Sequence, residues 1–249
     1  MMNLDPDDHE PPGACGCAAR QGQAGVWSSG LARRHFLSAC AAAVLAAGGS
    51  VIATSKARAQ SKLTPDAAMD RLMAGNGRFV RNQLASFQED VDILRAGTAA
   101  HQEPFAAVLS CADSRVPVEL VFDQSIGHLF VMRVAGNIAT TEIMASLEYG
   151  SAVLGTRLIV VLGHQGCGAV KAAVAAKAVP GQISALYRPL RPAIEQAGAD
   201  VEAVGMANAR IQADLVATSS PVLADLIKQG RLKVAAAYYS LTTGKVTVL

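Results

Sequence analysis

This sequence of 249 residues has few aromatic residues and little net charge. Phe, Trp and Tyr together make up 4% of the chain, and the formal net charge at pH 7 is +2. Because no long basic run follows the N-terminal region, we expect no nucleic-acid partner. The apolar stretch from Cys40 to Ala47 is too short for a transmembrane helix, so we expect no stable membrane span. Hydrophobic residues make up 51% of the chain, which is sufficient for the core of one sizeable domain.

The N-terminal region reads as a leader followed by an export signal. Residues 1–32 are rich in Gly, Pro and Asp and are predicted to be disordered. Residues 33–59 contain Arg33-Arg34, then the small apolar stretch, and end in Ala57-Arg58-Ala59, which has the small-x-small form of a cleavage site. This order is typical of a twin-arginine signal peptide.

Cleavage after Ala59 would leave residues 60–249 as the mature domain. We therefore expect the twin-arginine export machinery to be a partner and the mature protein to be periplasmic, or cytoplasmic if the signal is not used. The leader is long for such a signal, and translation from a later start near Val26 or Leu31 is an alternative.

Only two of the five cysteines, Cys111 and Cys167, lie beyond the predicted cleavage site. In an oxidising compartment they could form a disulfide. However, His164 lies three residues before Cys167, so the chain offers two thiolates and one imidazole. Three such ligands leave the fourth position of a tetrahedral zinc ion open, as in catalytic sites, and the spacing favours zinc over the disulfide.

The predicted strands and helices place these three residues at strand and helix ends. A strand over 105–110 ends at Cys111, a strand over 157–163 ends at His164, and a helix over 169–178 begins after Cys167. The other predicted elements are a helix over 64–82, a strand over 129–134, a helix capped by Thr140 or Thr141, helices over 183–197, 201–219 and 221–229, and strands over 232–239 and 245–249. Alternating strands and helices predict an α/β fold with a central, mainly parallel sheet flanked by helices. In such sheets, ligands bind at the carboxyl ends of the strands.

Two charged residues follow the first cysteine in the segment Cys111-Ala112-Asp113-Ser114-Arg115. Zinc with an open position lowers the pKa of bound water and supplies hydroxide at neutral pH. Asp113 is close enough in sequence to accept a hydrogen bond from that hydroxide, and Arg115 is placed to hold Asp113 in a bidentate pair. In a second state, Asp113 itself could occupy the fourth position.

The combination C-x-D-S-R with a downstream H-x-x-C resembles the zinc signature of the β-class carbonic anhydrases, over most of residues 64–249. The resemblance implies reversible hydration of carbon dioxide to bicarbonate and a proton by attack of zinc-bound hydroxide. It also implies one Zn²⁺ per chain on Cys111, His164 and Cys167, with Asp113 and Arg115 catalytic. Members of the family form homodimers or higher homo-oligomers, with active sites near the dimer interface.

Further positions resemble the plant-type subgroup of that family. Gln102, Phe130 and Tyr149 fall where the subgroup places substrate-binding residues. Core packing for the two aromatic residues and a solvated loop for Gln102 are the alternatives. Val108 stands where a bicarbonate-regulated subgroup has tryptophan, so we expect no bicarbonate inhibition pocket. The segment Arg133–Asn137 resembles a family segment that we interpret as structural support.

Two other functions remain open at this point. Relatives with the same zinc signature hydrolyse carbon disulfide or carbonyl sulfide, and the shape of the substrate access path would discriminate. The second alternative is a non-catalytic zinc or redox module, against which the intact Asp113 and Arg115 argue.

Overall fold

The structure, a computed structural model, describes residues 62–86 and 101–249. The predicted leader over 1–32 and signal peptide over 33–59 lie outside the described residues, and both remain predictions.

Five strands and seven α-helices are numbered here in chain order within the described residues. The strands are β1 (Ala106–Ser110), β2 (Leu129–Arg133), β3 (Leu158–His164), β4 (Lys233–Tyr239) and β5 (Val246–Val248). The helices are α1 (Pro65–Val80), α2 (Val118–Val121), α3 (Thr141–Glu148), α4 (Gly168–Ala175), α5 (Tyr187–Ala197), α6 (Val201–Ser219) and α7 (Pro221–Lys228). A π-helical turn, Tyr149–Val153, continues α3, and a 3₁₀ turn, Ile183–Leu186, leads into α5.

The strands form one sheet in the order β2-β1-β3-β4-β5. The first four strands are parallel, and β5 is antiparallel to β4. The predicted α/β fold with a mainly parallel sheet is thereby confirmed. Strands β1 and β3 are buried along their whole length, as expected for central strands that are covered by helices on both faces.

Alternate residues of the central strands feed two separate cores. Leu158 and Val160 pack with residues of α1 and α2 on one face. Ile159 and Val161 pack with residues of α6 and α7 on the other face. This alternation follows from the two-residue period of a strand, and it fixes the sheet between two helical layers.

Local capping explains where several helices begin. Thr64 accepts a hydrogen bond from the Ala67 N–H and precedes Pro65, so α1 begins as predicted. Asp200 and Ser220 cap α6 and α7 in the same way.

The sequence placed most elements correctly but missed some boundaries. Helix α4 ends at Ala175 instead of the predicted 178, because Ala176 takes a left-handed conformation with φ 49°. The short α2 was not predicted, since four residues carry no clear period. Within the described ranges, no helix combines the length and hydropathy needed to cross a membrane.

The sheet brings the ends of β1 and β3 together. Ser110 of β1 pairs with Leu162 of β3, so Cys111 leaves the sheet beside the last residues of β3. The loop from His164 to Gly168 then leads directly into α4.

Candidate metal centre

Cys111, His164 and Cys167 form a buried cluster at the carboxyl edge of the sheet. Their ligand atoms all lie within 4.8 Å of one another. The Sγ atoms of Cys111 and Cys167 are 3.9 Å apart, far beyond the roughly 2.05 Å of a disulfide bond, and both cysteines are free. The structure therefore brings the three predicted ligands together without the alternative disulfide.

One ring nitrogen of His164 is held by the backbone and the other is without a partner. Nδ1 lies 3.0 Å from the Gln165 carbonyl oxygen. In the tautomer that carries its hydrogen on Nδ1, Nδ1 donates to this oxygen and Nε2 keeps a free lone pair. Nε2 is buried and has no hydrogen-bond partner among the described residues. A buried acceptor without a donor is costly in a folded protein unless a cation takes the donor's place.

The contact between the two thiols favours ionisation of Cys111 over ionisation of Cys167. A hydrogen bond from Cys167 lowers the pKa of Cys111 against the opposing effect of burial, and the backbone N–H of Gly136 lowers it further. The contact with Cys111, together with burial, raises the pKa of Cys167. The Gly136 N–H lies 3.4 Å from the Cys111 sulfur and stabilises that thiolate.

These donors fit zinc. Two sulfurs bound tetrahedrally at about 2.3 Å from zinc are about 3.8 Å apart, close to the observed 3.9 Å. Two thiolates and an imidazole suit Zn²⁺ better than Mg²⁺ or Ca²⁺, which prefer oxygen ligands. Cys111, His164 and Cys167 would hold the ion. Among the described residues, the cluster that they form includes no fourth ligand.

Asp113 and Arg115 form the expected ion pair beside this cluster. Arg115 donates from Nε to Oδ1 at 2.9 Å and from Nη2 to Oδ2 at 2.6 Å, and its backbone N–H donates to Oδ1 at 3.0 Å. The Arg115 guanidinium holds the pKa of Asp113 well below its usual range. Asp113 Oδ2 is 3.9 Å from His164 Nε2, so the carboxylate borders the metal position while it stays paired with Arg115.

Arg133, the last residue of β2, supports the loop that carries the first ligand. It donates from Nε to the Cys111 carbonyl at 2.9 Å and from Nη2 to the Asp113 carbonyl at 2.5 Å. The predicted supporting role of the segment that follows is also seen in Gly136, whose carbonyl accepts from the buried Asn208 at 2.9 Å. Arg133 therefore ties the loop of Cys111 and Asp113 to β2, and Asn208 ties the loop of Gly136 to α6.

Comparison with known proteins agrees with this geometry. A family model described as carbonic anhydrase matches residues 106–246, which include the three ligands, Asp113 and Arg115. The solved structure of the β-carbonic anhydrase CcaA superposes with a TM-score of 0.58 at 26% identity, covering 72% of this chain and 94% of that one. The chain belongs to the β-carbonic anhydrase family.

Two curated relatives show how far the similarity extends. Carbonic anhydrase 2 of Mycobacterium tuberculosis is 49% identical over 112 residues, which is 45% of this chain and 54% of the relative. The carbonic anhydrase of Pseudomonas aeruginosa is 34% identical over 187 residues, covering 69% of this chain and 84% of the relative. The chain therefore spans about half the length of the first relative and most of the second.

The contacts of the three predicted substrate-binding residues among the described residues are with neighbours other than Cys111, His164 and Cys167. Phe130 and Tyr149 lie together, with ring centroids 6.2 Å apart. Gln102 is exposed and lines a separate pocket of about 400 Å³ with Arg71 and His101. Their role in substrate binding remains a prediction.

Sequence reasoning missed the polar residues of α6 that support the site. Asn208 and Gln212 are buried, hydrogen-bond to each other, and hold the loop at Gly136 and Ala139. The available signal was an amide pair spaced by four residues in a helix that is otherwise rich in alanine. Glu202, in the first turn of α6, was also missed because an acid there reads as an ordinary helix-start residue.

Proposed function

We propose that this chain catalyses the reversible hydration of carbon dioxide to bicarbonate and a proton. The observation that carries the proposal is the orphaned Nε2 of His164, which faces two sulfur ligands and borders a carboxylate already fixed by Arg115. A purely structural zinc site has four protein ligands and needs no oriented carboxylate beside it. Family membership supports the same reaction.

The residues of the site divide the chemistry between them. Zinc held by Cys111, His164 and Cys167 would lower the pKa of its water and so supply a hydroxide nucleophile at neutral pH. Asp113 stays ionised because Arg115 occupies both of its oxygens, so Asp113 only accepts hydrogen bonds. The nucleophile must therefore donate a hydrogen bond to Asp113. This hydrogen bond directs an oxygen lone pair of the nucleophile away from the carboxylate and toward the substrate.

Water and carbon dioxide are the only reactants that this reaction needs. The nucleophilic oxygen forms a bond to the carbon of carbon dioxide, and one C=O π pair moves onto the substrate oxygen to give bicarbonate. The proton lost by the attacking water leaves to solvent. Arg115 contributes by fixing the orientation of Asp113 before substrate arrives, which lowers the entropic cost of reaching the transition state.

Stopped-flow measurement of carbon dioxide hydration by the purified full chain, with zinc content determined on the same sample, tests this proposal. We expect rapid hydration with about one zinc per chain. Zinc without hydration would contradict it and favour the hydrolysis of carbon disulfide or carbonyl sulfide, which can be assayed on the same sample. Absence of both zinc and hydration, with no free thiols, would favour the non-catalytic redox module with a disulfide between Cys111 and Cys167.

Within the family, the plant-type subgroup is the best candidate. Val108 is fully buried in β1, where it pairs with Val131 and Val160, so the position that carries tryptophan in the bicarbonate-regulated subgroup here belongs to the core. The pairing of Asp113 with Arg115 supports the same assignment, because it leaves the fourth metal position to water.

Assembly and export complete the proposal. A homodimer or larger homo-oligomer is supported by exposed apolar side chains of the π-helical turn, Tyr149 at 48% and Val153 at 61%, since Tyr149 also contacts Phe130 of the edge strand β2. Export to the periplasm by the twin-arginine machinery rests on the sequence of residues 33–59 alone.

A further inference from the structure

A continuous chain of hydrogen bonds connects the proposed metal ligand His164 to a carboxylate on α6. His164 Nδ1 lies 3.0 Å from the Gln165 carbonyl oxygen. The same peptide group carries the Gly166 N–H, which donates to Glu202 Oε1 at 3.0 Å. Tyr238 donates its phenolic hydrogen to the other oxygen, Glu202 Oε2.

The peptide between Gln165 and Gly166 is the element that joins the two halves of this chain. Its C=O and N–H are conjugated, so a negative charge on the N–H side increases the partial charge on the carbonyl oxygen. A more negative oxygen at Gln165 holds the Nδ1 hydrogen of His164 more firmly. The carboxylate thus acts on the imidazole through one rigid, polarisable group.

Glu202 is itself fixed in position. Asp200 caps the first turn of α6 by accepting from the Glu202 N–H at 2.9 Å and the Ala203 N–H at 3.3 Å. The helix N-terminus favours the negative charge of Glu202. Burial, with the Glu202 carboxylate as the next cause, raises the pKa of Tyr238, so its hydroxyl stays a donor across the physiological range.

The Tyr238 ring lies in a slot made by two glycines. A Cβ at Gly163 would lie 3.2 Å from Tyr238 Cδ2, and a Cβ at Gly205 would lie 3.2 Å from its Cε2. Gly163 also pairs with Tyr238 between β3 and β4, one residue before His164. The absence of side chains at these two positions allows the ring to reach Glu202 beside the metal loop.

We propose that Glu202 is a positioning residue for His164, acting through the Gln165–Gly166 peptide, and that Tyr238 holds Glu202 in place. Histidines that bind metals usually donate their second nitrogen to a carboxylate or to a backbone carbonyl, which fixes the tautomer and raises ligand basicity. In this chain the backbone carbonyl is that of Gln165, and the carboxylate is that of Glu202, which binds the N–H of the same peptide group. The inference rests on the proposed function, because it concerns the same metal centre.

The test compares four variants of the zinc-loaded full chain: Glu202→Gln, Glu202→Ala, Tyr238→Phe and, as a matched surface control, Glu195→Gln. Glu195 is 63% exposed and pairs only with its helix neighbour Arg191 among the ion pairs of the described residues. Zinc affinity is measured by competition with a chelator. The Nδ1 proton of His164 is followed by NMR, and unfolding by circular dichroism.

We expect Glu202→Ala to weaken zinc binding by roughly 10- to 100-fold and to move the Nδ1 proton resonance upfield with faster solvent exchange. Glu202→Gln keeps an acceptor for the Gly166 N–H without the charge, so its effects should be intermediate. Tyr238→Phe should change both readouts in the same direction by a smaller amount. Glu195→Gln should change neither.

A zinc dissociation constant within twofold of wild type and an unshifted Nδ1 resonance in Glu202→Gln and Tyr238→Phe would overturn the inference, even if both variants unfold at lower temperature. These two variants keep the inference testable if Glu202→Ala does not fold. Wild-type protein that binds zinc but does not hydrate carbon dioxide would refute the proposed function alone, since zinc affinity and the resonance decide the role of Glu202 independently.

Discussion

Arg115 binds both oxygens of the Asp113 carboxylate while one of those oxygens stays 3.9 Å from the Nε2 of His164. The guanidinium fork matches a carboxylate in two parallel hydrogen bonds, which fixes orientation as well as charge. Asp113 is therefore held as an acceptor at the border of the metal position. Two residues of one short loop supply this arrangement.

Replacing Asp113 by Asn should lower kcat/KM for carbon dioxide hydration by about 10²- to 10⁴-fold with zinc retained, because an amide nitrogen donates where the carboxylate accepts. Stopped-flow kinetics and zinc analysis on one sample check this. Asp66→Asn is the matched control, since Asp66 is 80% exposed and pairs with Lys233 at the surface. Equal activity in both variants would exclude a catalytic role for Asp113.

Removal of zinc with a chelator should abolish hydration and lower the melting temperature. A ligand at about 100 times its dissociation constant adds about 2.7 kcal/mol to the free energy of unfolding, which corresponds to about 5 to 10 °C for a domain of this size. Activity assays and thermal melts before and after chelation, and again after zinc is restored, measure both effects. A Cys111→Ala variant should show neither the zinc content nor the restoration.

The stability of the fold should depend on the ionisation of Asp123. Burial raises the pKa of Asp123, but hydrogen bonds from the backbone and hydroxyl of Ser86 and from Arg78 outweigh it and lower the pKa to about 2. A carboxyl whose pKa is lower in the folded state stabilises above its unfolded pKa of about 4 and loses that contribution as pH falls toward 2.

Asp123→Asn should therefore cost about 2 to 3 kcal/mol at pH 7, and the difference from wild type should shrink between pH 4 and pH 2. Urea unfolding of both proteins across this range measures it. A difference that stays constant down to pH 2 would show that the charge of Asp123 does not contribute.

Two glycines of α1 should respond oppositely to alanine. A Cβ at Gly75 would lie 1.8 Å from the Phe122 carbonyl oxygen, so Gly75→Ala should cost at least about 3 kcal/mol. A Cβ at Gly77 would meet only the flexible end of Arg81 at 3.3 Å, so Gly77→Ala should gain up to about 1 kcal/mol from helix propensity. Chemical denaturation measures the free energy of unfolding of both variants. Similar changes in the two variants would mean that α1 does not pack closely on the backbone at Phe122.

Substituting Arg33 and Arg34 together by Lys should leave the precursor in the cytoplasm of a host with a twin-arginine pathway, whereas the wild type should reach the periplasm cut after Ala59. Cell fractionation with N-terminal sequencing measures both. Arg20→Lys, in the leader outside the motif, is the control. Wild-type protein found in the cytoplasm with its leader intact would contradict export.

Much of the site could be predicted because its chemistry is encoded locally. Asp113 and Arg115 are two residues apart, and His164 and Cys167 are three apart, so short-range geometry already limits where their side chains lie. The apolar runs that end at Ser110 and before His164 predict buried strands, and parallel strands end at one edge. These rules were sufficient for the three ligands and for the ion pair.

The supporting contacts could not be predicted in this way. Glu202 reaches Gly166 across 36 residues, and Asn208 reaches Gly136 across 72. No periodic pattern or short motif relates such positions, since their distance depends on how α6 packs against the sheet. The same holds for the contact between Phe130 and Tyr149 and for the pocket that Gln102 lines with Arg71.

The sequence by itself determined the order of most strands and helices, the three zinc ligands, and the ion pair of Asp113 and Arg115 beside them. These features depend on residue type and on spacings of a few residues, which fix local conformation. Only the tertiary structure decided that β1 lies next to β3, that Arg133 supports the Cys111 loop, and that Glu202 and Tyr238 stand behind His164. Those contacts arise from packing between distant segments, because burial of apolar surface is not directional and brings polar groups together only once the whole core has formed.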